Sequence, residues 1–214
     1  MEFPKTLIKR NGYIERIKPF MRKNIAKVLT GQRRVGKSFL LYQLMDQLLV
    51  EEPDANIIYI NFEDFAFSHI QTAEDMHAYI MSKFRKEKYN YIFVDEIQEI
   101  VNFERVIRSL LLNENNDIYI TGSNAKMLSG ELATYLSGRY IEFSVYSLSY
   151  LEFLAFHKLE NNNESLYLYS RYGGLPYLIN LPLKDETVNE YLKSVYSTIC
   201  LLYTSPSPRD STSS

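Results

Sequence analysis

The 214-residue sequence predicts an α/β fold: a five-stranded parallel sheet between helical layers, followed by a shorter helical region. Three observations predict it. Short apolar runs alternate with helical stretches between residues 26 and 145, the pattern of parallel strands joined by right-handed crossovers. One strand-to-helix junction is the octapeptide Gly31-Gln32-Arg33-Arg34-Val35-Gly36-Lys37-Ser38. Finally, an apolar run, Tyr91-Ile92-Phe93-Val94, leads directly into two carboxylates, Asp95 and Glu96.

In chain order, residues 26–30 form the first strand, and the octapeptide opens a strongly apolar helix over 39–50. Glu52-Pro53-Asp54 breaks that helix, and residues 56–60 read as a buried strand. Thr72-Ala73-Glu74-Asp75 predicts a capping box for a helix reaching about Phe84. The third strand covers 91–94. Asn102 is the expected cap of the next helix, where Phe103, Val106, Ile107, Leu110 and Leu111 recur at helical spacing. A strand over 117–121 ends in Gly122-Ser123-Asn124. A helix over about 126–136 and then Gly138-Arg139 lead to the fifth strand, 140–145.

Beyond residue 145 the alternation stops. Ser149-Tyr150-Leu151-Glu152 is a second capping box, Tyr172-Gly173-Gly174 stops a helix, and Pro176 restarts one. The chain thus divides into a sheet region, 1–145, a helical region, 146–203, and a Ser/Pro-rich end, 204–214. That end has nothing apolar to bury and is expected to be disordered. With Leu201-Leu202-Tyr203 it resembles translated adaptor read-through, foreign to the fold.

The octapeptide has a specific physical reading. Gly31 and Gly36 let the backbone turn so that successive N–H groups face one anion. The helix that follows adds unsatisfied donors and the positive end of its dipole. Lys37 is placed to reach the β- and γ-phosphates, and the Ser38 hydroxyl to ligate Mg²⁺. This is a P-loop, so the expected fold is the three-layer P-loop NTPase sandwich, with Gly31, Gln32, Arg33, Arg34, Val35, Gly36, Lys37, Ser38 and Phe39 as candidate nucleotide contacts. Asp95 is the companion metal carboxylate, and Glu96 is placed to polarise a water for attack on the γ-phosphate. In parallel sheets, ligands bind at the carboxyl ends of strands. The residues there, Gly31 onward, Asn61, Asp95-Glu96 and Ser123-Asn124, are expected to converge on one edge. A guanine-reading Asn-Lys-x-Asp is missing, since Asn124-Ala125-Lys126-Met127 lacks the final Asp.

Composition bounds the rest. With 46% hydrophobic and 23% charged residues, the chain is that of a soluble globular protein. No apolar run approaches the roughly 18 residues of a membrane span. Cys200 is the sole cysteine, so no intrachain disulfide forms, and a reducing cytoplasm is the expected compartment. The net charge of −2 argues against bulk coating of nucleic acid. Residues 1–40, however, hold 11 Lys/Arg against Glu2 and Glu15, a balance of +9. The remainder holds 13 basic and 24 acidic residues, −11. The basic segment would attract a polyphosphate, and it leaves a protein or nucleic-acid partner open. His69, His77 and His157 lack metal-ligand spacing to one another.

Together these residues resemble the AAA-type P-loop ATPases of bacteria and archaea, in the branch with a Gly-Gln-Arg-Arg-Val-Gly-Lys-Ser P-loop. The likeness runs from about residue 10 to 203. It is carried by residues 28–38, Ile60-Asn61-Phe62-Glu63-Asp64, Phe93-Val94-Asp95-Glu96-Ile97-Gln98, Thr121-Gly122-Ser123-Asn124 and Gly173-Gly174-Leu175-Pro176. The resemblance implies a sensor-1 role for Ser123 or Asn124, and a restraint of Glu96 by Asn61. It implies that Gly174 and Pro176 pack against the nucleotide within a partial helical lid. It makes Arg139 a candidate arginine finger acting on a neighbouring subunit in a homo-oligomer, against pairing with Glu142 or simple exposure. Members of this family usually continue into a further C-terminal domain. The expected function is ATP binding with Mg²⁺-dependent hydrolysis. The alternatives are a nucleotide-gated interaction switch with negligible turnover, and a phosphotransferase. The last would want acceptor-binding and lid arginines near the site, and only Arg139 and Arg171 lie late in the ordered chain.

Overall fold

The computed structural model describes residues 7–123, 132, 134–136 and 138–204, with side chains up to 197. The chain divides into two compact units, Met1–Tyr146 and Ser147–Ser214. In the first unit, helix α1 (Asn11–Ile17) precedes β1 (Ala26–Thr30), α2 (Lys37–Glu51), β2 (Asn56–Asn61), α3 (Ala73–Ser82), β3 (Asn90–Asp95), α4 (Phe103–Leu110), β4 (Asn116–Gly122) and β5 (Tyr140–Ser144). The five strands form one sheet in the order β2-β3-β4-β1-β5, and every pairing is parallel.

The pattern of burial follows from this topology. Strands β1, β3 and β4 are buried at every residue, as a parallel sheet covered on both faces requires. The edge strands β2 and β5 are only partly covered. Because side chains alternate across a strand, the sheet feeds two cores. Val28, Ile58, Ile60, Ile92, Val94, Ile118 and Ile120 pack on one face with Met76 and Ile80 of α3 and Phe103, Val106 and Ile107 of α4. Leu29, Tyr91, Phe93, Tyr119 and Phe143 pack on the other with Ile14 and Ile17 of α1 and Leu40, Leu41, Leu44 and Leu48 of α2. Phe93 and Tyr119 stack there with centroids 4.4 Å apart.

Most local signals act as the sequence predicts. Thr72 and Asp75 form the reciprocal capping box of α3 (Asp75 N–H to Thr72 Oγ1, 3.1 Å; Thr72 N–H to Asp75 Oδ2, 3.0 Å). Asn102 does not cap α4. It adopts a left-handed conformation (φ 62°), which asparagine tolerates, and its side chain makes no cap hydrogen bond. Helix α1 has no legible signal, since its preceding residue, Arg10, gives no cap bond and only Ile14 and Ile17 are buried. The helix expected over 126–136 falls largely outside the described residues, of which 134–136 are helical.

The second unit is helical: α5 (Tyr150–His157), α6 (Asn163–Tyr172), a 3₁₀ turn Pro176–Asn180, and α7 (Asp185–Thr204). Ser149 and Glu152 form the expected capping box. Helix α6 ends before Gly173 at φ 73°, and Pro176 starts the turn. A Cβ on Gly174 would land on the Leu148 carbonyl oxygen, which explains glycine there. Tyr172, Leu178 and Val188 form one small hydrophobic cluster in this unit, and Leu148 and Phe153 are buried as well. Residues 205–214 lie outside the described residues.

At the amino edge of the sheet, Lys27 of β1 and Asp117 of β4 form a wholly buried ion pair. Asp117 also accepts from the Arg22 N–H and the Tyr119 hydroxyl, each at 2.8 Å. Burial pushes the Lys27 ammonium below its ordinary range, and Asp117 opposes that fall. Asp117→Asn should therefore destabilise the protein by about 3–5 kcal/mol at neutral pH, because it strands a buried charge. The deficit should shrink at alkaline pH. A lysine whose folded pKa lies below its unfolded value binds fewer protons when folded, so stability recovers as pH rises between the two. Urea midpoints at pH 7 and pH 9.5 check this; equal midpoints for parent and variant at pH 7 would show that the pair contributes nothing.

Candidate functional site

Strands that run parallel bring their carboxyl ends to one edge, and there Thr30, Asn61, Asp95 and Gly122 finish β1 to β4. The loop 31–36 leaves β1 at this edge. Gly31 has φ 146°, and a Cβ there would collide with the Val145 carbonyl oxygen, so only glycine fits. Arg34 (φ 69°) and Gly36 (φ 95°) are left-handed and curl the loop into the first turn of α2. No side chain caps that helix, which leaves its first N–H groups for another acceptor.

The loop's side chains divide. Gln32, Arg33 and Arg34 are exposed, whereas Val35 is buried in the α2 core. The loop is braced from below by a residue that the sequence gives no reason to choose. Arg10, itself buried, donates from Nη1 to the carbonyls of Val35 and Tyr146, each at 3.1 Å, and its N–H reaches Gln43 Oε1 at 2.9 Å. Phe39, in the first turn of α2, is 46% exposed and packs edge-on against Tyr42.

Lys37 is nearly buried. Its Nζ donates to the carbonyls of Gly31 (3.0 Å) and Gln32 (3.1 Å) and lies 3.5 Å from Glu96 Oε1. Asp95 is buried at the end of β3, where it accepts from the Ser38 and Thr121 hydroxyls. Burial pushes the Asp95 carboxyl up, the two hydroxyl donors pull it back, and Glu96 pushes it further up. Glu63, just past β2, is likewise raised by burial, then by Glu96 and Asp95, with Arg33 and Lys37 opposing.

Glu96 occupies a left-handed conformation (φ 53°), uncommon for a glutamate and a mark of strain held by its surroundings. Its N–H donates to Thr121 Oγ1 at 3.0 Å. The same threonine thus holds the Asp95 carboxylate and the Glu96 backbone from the neighbouring strand. Glu96 Oε2 accepts from Gln98 Nε2 at 2.5 Å, and Gln98 Nε2 also lies 3.4 Å from Ser123 Oγ.

Of the residues read from the sequence, Lys37, Ser38, Asp95, Glu96 and Ser123 come together. Asn124 lies outside the described residues. Asn61 faces Asp95 in register, but its Oδ1 accepts from the Glu63 N–H at 3.0 Å, and the hydrogen bond to Glu96 comes from Gln98 instead. Arg139 is elsewhere. Its carbonyl accepts the Ala26 N–H at 2.9 Å, which puts it at the amino edge of the sheet, opposite the P-loop. Its exposed side chain lines a cleft of about 150 Å³ with Arg108, Leu111, Leu112, Tyr135 and Leu136. Glu142 accepts from Thr30 Oγ1 at 2.6 Å, and no Arg139–Glu142 pair occurs among the described residues. Pro176 belongs to the helical unit. Arg10, Glu63, Gln98 and Thr121 were missed as site residues; Glu63 lies two residues past Asn61, and Gln98 and Thr121 lie beside the two carboxylates and Ser123, whereas Arg10 carried no such signal.

Residues 23–154 match the family model of an AAA domain, AAA_14. An uncharacterized protein of Haemophilus influenzae is 37% identical over 204 residues, 92% of this chain and 50% of that protein. One of Methanocaldococcus jannaschii is 30% identical over 188 residues, 81% of this chain and 41% of that protein. The chain therefore spans about half the length of these curated relatives or less. Among solved structures, AMPPCP-bound DnaA of Aquifex aeolicus superposes with a TM-score of 0.53 at 15% identity, covering 82% of this chain and 61% of that one. Hsp104 of Saccharomyces cerevisiae does so at 0.54 and 14% identity, covering 81% of this chain and 36% of its own. The fold is that of these P-loop proteins, and with its family model matched over more than half its length, the chain belongs to the AAA domain family.

Proposed function

We propose that the protein binds ATP and hydrolyses its β–γ anhydride with Mg²⁺, with Lys37, Ser38, Asp95 and Glu96 as the working residues. The observation that carries this reading is their convergence at one strand edge beside an uncapped helix N-terminus. The ATP analogue in the Aquifex DnaA structure supports the choice of nucleotide by analogy. Ser38 Oγ and Asp95 Oδ suit Mg²⁺, since a hard divalent cation takes oxygen donors and a hydrogen bond already brings these two together. Bound Mg²⁺ would offset charge building on the phosphoryl oxygens.

The chain's own residues do the rest. Lys37 exchanges the Gly31 and Gln32 carbonyls for phosphate oxygens, which are better acceptors for an ammonium. That exchange frees Glu96 Oε1 from Lys37. As the water oxygen bonds to the γ-phosphorus and the bond to the ADP oxygen breaks, one water proton passes to the Glu96 carboxylate. Thr121 keeps Asp95 and the Glu96 backbone in place. Ser123 serves as the polar sensor at the end of β4, and the protein works in the cytoplasm with a protein or nucleic-acid partner. Steady-state phosphate release by the full-length protein tests the reading. ATP binding without release above the Glu96→Gln background would favour the switch, a reading supported by the Lys37–Glu96 pairing.

Arg139 acts, in this reading, on the nucleotide of another copy, because its own P-loop is at the opposite edge of the sheet. Arg139→Ala should leave ATP affinity unchanged and lower turnover by about 10³-fold or more where assembly is complete, the scale of an arginine finger. Parent activity should rise faster than linearly with protein concentration. Linear scaling with a fully active variant would make Arg139 a surface residue.

A further inference from the structure

Gln98 lies in the 3₁₀ turn Ile97–Glu99, two residues past Glu96, and joins two groups from separate strand ends. Its Nε2 donates to Glu96 Oε2 at 2.5 Å and lies 3.4 Å from Ser123 Oγ. The sense of the amide is fixed by chemistry, since the reverse orientation would set a carbonyl oxygen against a carboxylate. Gln98 Oε1 is then buried without a hydrogen-bond partner among the described residues. Its side-chain hydrogen bonds among the described residues are thus confined to the end that faces Glu96 and Ser123.

The two grips on Glu96 differ in kind. Oε1 faces Lys37 Nζ at 3.5 Å, a cation for which a polyphosphate competes. Oε2 is held by a neutral amide with no such competitor. Nucleotide arrival therefore removes one grip and leaves the other. We propose that Gln98 is a positioning residue that holds the Glu96 carboxylate in line for water attack and couples its orientation to Ser123. The inference rests on Glu96 acting as the general base. Gln98 keeps Oε2 fixed and so aims the released Oε1. Ser123, at the end of β4, limits how far the amide swings.

The test uses the full-length protein as parent, Gln98→Ala, Gln98→Met, Glu96→Gln and Gln98→Ala/Glu96→Gln. Mg·ATP affinity is measured by calorimetry, hydrolysis by single-turnover quench, and folding by circular dichroism. Gln98→Met fills the same space without an amide and carries the test if the alanine variant unfolds. The expected result is affinity within about twofold of the parent and a rate lowered on the order of 10–100-fold, the cost of a misaimed group. In the Glu96→Gln background, Gln98→Ala should change the rate by less than about twofold, because a residue acting through Glu96 has nothing left to act on. Parent-like rates in Gln98→Ala and Gln98→Met overturn the proposal and leave Glu96 standing as base. Losses that multiply in the double variant, or a matching loss of affinity, also overturn it by making Gln98 structural. A parent-like rate in Glu96→Gln overturns the base reading and this inference with it.

Discussion

Lys37→Ala should bind ATP at least about 100-fold more weakly than the parent. The lysine is the P-loop's one buried ammonium, and each hydrogen bond from a charged donor contributes about 1.5–3 kcal/mol. Removing two such bonds to phosphate at once reaches that factor. The variant should also be less stable without nucleotide, since Glu96 is 7% exposed and would keep Gln98 as its side-chain donor without the ion pair. Calorimetry on protein shown by circular dichroism to be folded is the measurement. Parent-like affinity would remove the basis for reading residues 31–38 as a phosphate loop.

Glu96→Gln should bind Mg·ATP normally and hydrolyse it about 10²–10⁴-fold more slowly, the usual contribution of a general base. The amide keeps the side chain's length, and with its carbonyl oxygen toward Gln98 it keeps that hydrogen bond as well. What it loses is the capacity to take a proton. The left-handed backbone of residue 96 is unaffected, because the conformation is fixed by the chain and by Thr121 rather than by the carboxylate. Phosphate release by parent and variant under saturating Mg·ATP reads the effect. Equal rates would move the base to another group, with Glu63 the nearest candidate by its electrostatic contact with Asp95 and Glu96.

The strands were legible because each central one has an apolar stretch, Val28-Leu29, Tyr91-Ile92-Phe93-Val94 and Ile118-Tyr119-Ile120, as burial on both faces demands. The capping boxes at Thr72 and Ser149 were legible because both partners lie within one turn. Asn102 misled for a related reason. A lone asparagine before a helix is consistent with a cap and equally with a left-handed turn residue, and the backbone chose the turn. Asn61 misled differently. It does end β2 opposite Asp95, but its side chain closes a local turn onto Glu63.

By itself the sequence determined the P-loop, the carboxylate pair at a strand end and the parallel alternation, since each is written in neighbouring residues. The strand order was decided only in three dimensions. Strand β4 lies between the P-loop strand β1 and the carboxylate strand β3, and this insertion brings Thr121 and Ser123 beside Asp95 and Glu96. The bracing of the loop by Arg10 and the reach of Gln98 to Ser123 belong to the same class. Local patterns fix which segments become strands and helices. Contacts between segments far apart in sequence depend on which faces bury together, and only the packed chain specifies them.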